Sequence, residues 1–81
     1  MKVPRDLSGS DLVRALSTFG FEAVRQTGSH IRLRSTHTGS EHLITIPNHN
    51  PIKLGTLNGI LSDVAQHLKI SKQNLIDRLF N

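Results

Sequence analysis

Two polar, glycine-containing turns, Thr27-Gly28-Ser29 and Thr36-His37-Thr38-Gly39-Ser40-Glu41, divide the middle of this chain into three runs too short to be helices. Runs joined by so few residues can pair only antiparallel, so a three-stranded meander is expected, with the second strand in the centre. The runs are Phe21-Glu22-Ala23-Val24-Arg25-Gln26, His30 to Ser35, and His42-Leu43-Ile44-Thr45-Ile46, the last ended by Pro47. In the first, Phe21 and Ala23 share one side and Glu22, Val24 and Gln26 the other; we take the Phe21 side as buried. In the second, alternation sends Ile31 and Leu33 into a core and leaves His30, Arg32 and Arg34 together on the opposite face. A titratable imidazole in a row with two permanent cations suits a polyanion.

Helices are expected on either side of the meander. Ser8-Gly9-Ser10-Asp11 offers N-cap chemistry, either serine being able to accept from first-turn amides. Leu12, Val13, Leu16 and Phe19 follow at helical spacing, and Gly20 terminates a helix of roughly three turns. Pro4 and its polar neighbours form a short tail before it. Pro47-Asn48-His49-Asn50-Pro51 is a crossing loop, because two prolines bracket a cluster of turn formers. From about Gly55, the apolar set Leu57, Ile60, Leu61, Val64 and Leu68 defines a second amphipathic helix. Gly59 inside it costs about 1 kcal/mol relative to alanine, so the helix should lean on tertiary packing or approach a neighbour closely there. Ser71 caps a last helix, Lys72 to Leu79, with Ile70 set to staple against Leu75 and with Leu75, Ile76 and Leu79 buried. Helices covering one face of the sheet would leave the His30 face open.

The 81 residues make one domain, with a core over about 10–68, a C-terminal helix over about 71–79, and room for only a shallow surface site. Ten Lys and Arg against six Asp and Glu, a formal charge of +4, favour phosphate-rich partners. The absence of cysteine excludes disulfide scaffolds, thiolate metal sites and Cys nucleophiles. No apolar run is long enough for a membrane span, and Met1-Lys2-Val3-Pro4-Arg5-Asp6 lacks a signal peptide's apolar segment, so a cytoplasmic protein is expected. Phe19, Phe21 and Phe80 are the only Phe, Tyr or Trp rings and none is placed to stack bases, which argues against single-strand binders of that kind.

The element order, together with Gly28-Ser29-His30, Ile46-Pro47-Asn48-His49 and Lys53-Leu54-Gly55-Thr56-Leu57-Asn58-Gly59-Ile60-Leu61, closely resembles the HicA toxins, or YcfA-like family, from about Ser10 to Leu79. The resemblance implies an α+β, double-stranded-RNA-binding-domain-like fold of α-β-β-β-α order with a three-stranded antiparallel sheet. It implies a metal-independent mRNA interferase, without cofactor, that arrests translation and is silenced by a HicB antitoxin covering it. The family's essential histidine maps onto His30, its preceding glycine and serine onto Gly28 and Ser29, and its Pro-x-His loop onto Pro47 and His49. Asn58 departs from a basic residue often found there, and the extension from Ile70 to Asn81 exceeds the shortest members, its role open between core completion and partner contact.

RNA carries its own nucleophile, the 2′-hydroxyl, so cleavage needs proton transfers and stabilisation of phosphoryl charge. His30 is the candidate acid or base, and Arg25, Arg32, Arg34 and Lys53 are candidate phosphate contacts. The alternative for His30 is an exposed histidine capping the turn, and for the arginines a solvated face that discourages edge pairing. Ser29 reads as a turn residue rather than a nucleophile. His49 reads as stabilising its loop, with support of His30 as the second option. His37, His42 and His67 lack metal-ligand spacing and read as solvated surface; no metal site is expected. Rival functions are a non-catalytic RNA-binding module of the same fold and a protein-binding adaptor using the open face.

Overall fold

The computed structural model describes residues 6–35, 39 and 41–80. The N-terminal tail, His37 and most of the 36–41 turn lie outside the described residues. The order is α1 (Gly9–Ser17), β1 (Glu22–Thr27), β2 (His30–Ser35), β3 (His42–Pro47), α2 (Leu54–Leu68) and α3 (Lys72–Phe80), the expected α-β-β-β-α arrangement with a further helix. The sheet is antiparallel in the order β1-β2-β3, with β2 central.

Helix α1 starts where side chains satisfy its free amides. The Ser8 hydroxyl accepts from Asp11 N–H at 3.1 Å, and the Asp11 carboxylate accepts from Ser8 N–H at 3.3 Å, a reciprocal capping box. At nine residues the helix falls short of three turns, because the chain tightens at Thr18 and Gly20, at φ +87°, turns it away. Phe21 N–H then returns to the Leu16 carbonyl. Helix α2 ends at Lys69 in the left-handed region, φ +60°, with Ile70 N–H on the Ala65 carbonyl at 3.0 Å. Helix α3 is capped by Ser71, whose hydroxyl accepts from Asn74 N–H at 3.0 Å.

The core lies between the sheet and the helices. Leu12 and Leu16 of α1, Ile31 and Leu33 of β2, Ile44 and Ile46 of β3, Leu57, Leu61 and Val64 of α2, and Leu75 and Ile76 of α3 form one buried cluster with Phe21 and Ile52. Strand β2 alternates as expected, His30, Arg32 and Arg34 exposed and Ile31, Leu33 and Ser35 buried. Strand β1 does not: Phe21 is buried just ahead of it, but all six strand residues are exposed. This edge strand overhangs the helical layer, so its inner side, Ala23 included, stays in solvent. Gly59 also differs from one expectation, since a Cβ there would meet nothing within 4 Å. The close approach is made by Gly9, where a Cβ would lie 2.6 Å from the Pro47 carbonyl oxygen. No described helix is long and apolar enough to cross a membrane.

Two histidines expected at the solvated surface are packed instead. The His42 and His67 rings stack at 4.3 Å and 13°, Phe21 stands edge-on to His67 at 5.9 Å, and His42 Nε2 lies 3.2 Å from the Asp63 carboxylate. Packing of β3 on α2 joins residues 25 positions apart, which spacing along the chain cannot reveal. This row lies on the helical side of the sheet, since His42 alternates with Ile44 and Ile46.

Candidate functional site

The Gly28-Ser29 turn fixes where His30 sits. Thr27 and His30 are directly paired, so the hairpin loop has two residues. Gly28 has φ +53° while Ser29 does not enter the left-handed region, the pattern of a II′ turn with glycine at its first central position. Gly28 and Ser29 are the two residues of that turn. His30 is thereby the first residue of the central strand, opposite Thr27 on one side and Pro47 on the other.

Register gathers the rest of the open face. Arg32 lies between Arg25 and Thr45, and Arg34 between Glu22 and Leu43. A bulge between Ala23 and Arg25 decides which arginines meet. Ala23 pairs with Leu33, on the core side, so strict alternation would put Arg25 there as well. The extra residue reverses the parity and turns Arg25 onto the face of His30 and Arg32.

Two hollows flank His30. The first, about 500 Å³, is lined by Arg25, Thr27, His30, Arg32 and Thr45. The second, about 400 Å³, is lined by His30, Thr45, Pro47, His49, Lys53 and Thr56. His30 and Thr45 thus form the ridge between them. Of the residues expected at the site, Arg25, Arg32, His49 and Lys53 join His30, whereas Arg34 lines neither hollow. Its Nη1 lies 3.5 Å from the Glu41 carboxylate, and Glu22 faces it across the ladder. Arg25 and Arg32 have no carboxylate partner among the described residues, although like charges directly opposite on a sheet repel. Charge on the open face is therefore balanced at the Arg34 end and unbalanced at the His30 end, where an anion would relieve it.

Lys53 occupies the N-cap position of α2 without a capping side chain, and the first turn carries no acidic residue. Sequence reasoning missed the hydroxyls of Thr27, Thr45 and Thr56 in the hollows. Thr27 was recoverable, since a two-residue turn at Gly28-Ser29 pairs it with His30. Among the described residues no group of three or more His, Asp or Glu side chains gathers as a metal ligand set.

A family model described as HicA toxin of bacterial toxin-antitoxin matches residues 9–66, well over half the chain. The chain belongs to the HicA toxin family. No curated protein and no solved structure matches it. Membership in the HicA family brings a toxin role and a cognate antitoxin as partner. The matched segment contains the whole sheet, the turn before His30, the crossing loop with His49, and Lys53 at the start of α2. Helix α3 lies beyond it, yet the fully buried Leu75 makes this helix part of the core.

Proposed function

We propose that this HicA-family chain is a metal-independent endoribonuclease that cuts mRNA in the cytoplasm and so arrests translation, with His30 transferring a proton. The observation that carries the reading is an exposed imidazole beside two directly opposed guanidiniums that no carboxylate among the described residues neutralises. A phosphodiester drawn to Arg25 and Arg32 lies against His30. The 2′-oxygen attacks phosphorus, charge grows on the non-bridging oxygens facing the guanidiniums, and the 5′-oxygen departs. His30 assists one of the two proton transfers, a contribution of about 10²- to 10⁴-fold for a positioned acid or base. Because the nucleophile is supplied by the substrate, the reaction needs no metal-bound water. Gly28 and Ser29 set the height of His30 above the sheet, and Lys53 contacts a neighbouring phosphate. The chain works as one domain, and a HicB-like antitoxin silences it by covering the His30 face.

The chemistry fixes the product ends. Mixed-sequence RNA incubated with the purified chain in excess chelator should yield fragments with 2′,3′-cyclic phosphate and 5′-hydroxyl ends. Fragments with 5′-phosphate ends would instead indicate a water nucleophile and contradict the assignment. RNA bound but never cut would leave a non-catalytic RNA-binding module on the same face.

A further inference from the structure

Cleavage of this kind moves two protons, one off the 2′-hydroxyl and one onto the departing 5′-oxygen, and His30 accounts for one. We propose that His49 is the second proton-transfer residue, the two imidazoles acting on opposite sides of one phosphodiester. This rests on the endoribonuclease reading above.

Backbone geometry brings the two histidines together. The Ser29 carbonyl accepts from Asn48 N–H at 2.6 Å, so the residues immediately before His30 and His49 are bonded to each other. This bond extends the β2–β3 ladder one step past the His30–Pro47 pair. His49 falls two residues beyond the position opposite His30, on the same face. Both histidines line the second hollow, as does Lys53. The shared hollow lets the two side chains approach one phosphodiester from either side.

The loop carrying His49 is held from both sides. Gly9 N–H donates to the His49 carbonyl at 2.9 Å, and Ile52 N–H donates to the Leu7 carbonyl at 2.8 Å. Gly9 permits this contact because it has no Cβ to strike the Pro47 oxygen. The His49 backbone is thus engaged while its exposed side chain makes no hydrogen bond or ion pair among the described residues. A histidine whose role was to stabilise the loop would use its ring for that purpose. Here the main chain does it, and His49 lines the hollow with its side chain unengaged among the described residues.

The step balances without a co-reactant. One imidazole takes the 2′-hydroxyl proton as that oxygen bonds to phosphorus. The other, protonated, gives its proton to the 5′-oxygen as the P–O5′ bond breaks. The products are a 2′,3′-cyclic phosphate and a 5′-hydroxyl, and exchange with water resets both rings.

The test begins with a bond that the wild-type chain cuts in mixed-sequence RNA. His49→Ala and His49→Gln, each confirmed folded by circular dichroism, should cut it about 10²- to 10⁴-fold more slowly, with RNA binding retained. The same bond is then built with sulfur in place of the departing 5′-oxygen, since a thiolate leaves without being protonated. Sulfur should restore cleavage in one of His30→Ala and His49→Ala, whichever lacks the acid, and not in the other. Wild-type rates in either His49 variant, recovery with glutamine, or sulfur rescue of neither alanine variant would overturn the assignment while leaving the ribonuclease reading in place. A wild-type chain that cuts no RNA would remove both.

Discussion

At the scale of the residue, the open face separates two arginines that the strand pattern alone makes equivalent. Arg32 and Arg34 both alternate outward, but Arg34 pairs with Glu22 across the ladder and with the Glu41 carboxylate, whereas Arg32 faces Arg25 with no acid beside it among the described residues. On the proposed reading, Arg32→Ala should weaken RNA binding and flatten its salt dependence by about 0.7 in the slope of log affinity against log salt, the loss of one single-strand phosphate contact. Arg34→Ala should leave that slope nearly unchanged. Binding isotherms over a series of salt concentrations measure both, and equal effects from the two substitutions would contradict the division of the face. His30, Ile31, Arg32 and Leu33 were assigned to their faces from the sequence because period-two alternation held in β2. The facing of Arg25 was not legible, because it depends on a bulge that reverses parity within β1. The stacked pair of His42 and His67 was equally hidden, as it depends on packing between a strand and a helix far apart in the chain.

At the scale of the element, capping chemistry was the more readable signal. Ser8 and Ser71 cap their helices through the hydroxyl, and Gly20 ends α1 in the left-handed region that glycine tolerates. The end of α2 carried no such mark, since a lysine takes the left-handed position there. Ser8→Ala should destabilise the chain by about 0.5–2 kcal/mol, the usual worth of a serine N-cap. The same box gives a pH dependence. The hydrogen bonds from Ser8, with a smaller contribution from Arg14, hold the Asp11 carboxyl below its ordinary pKa. A group depressed on folding stabilises above its unfolded pKa, and that stabilisation is lost as pH falls through the folded value. The gap in thermal unfolding between wild type and Ser8→Ala should therefore be widest near neutrality and narrow in acid below the Asp11 pKa without closing, since the Ser8 hydroxyl still accepts from Asp11 N–H there. A gap that widened on acidification would contradict the capping box as its source.

At the scale of the whole molecule, one helical layer covers the inner face of β2 and β3, and the outer face of the sheet is given over to the site. The order of elements followed from run lengths and turns. The burial of Leu75 and Ile76 followed from the apolar spacing of α3, whereas the choice between core completion and partner contact stayed open, because those positions suit either. Leu75 is fully buried in the cluster shared by α1, α2 and the sheet. Leu75→Ala should cost about 2–5 kcal/mol, as for other buried leucines. At about 4–8 °C per kcal/mol for a domain of this size, the melting temperature should fall by roughly 8 °C or more; an unchanged value would make α3 an appendage. The central claim joins this scaffold to a reaction, and one comparison tests it most directly: cleavage of mixed-sequence RNA in excess chelator by wild type and by folded His30→Ala. The account predicts that the wild type cuts, that the variant is slower by about 10²-fold or more, and that both bind RNA alike. Equal cutting by the two, or cutting by neither, would contradict it.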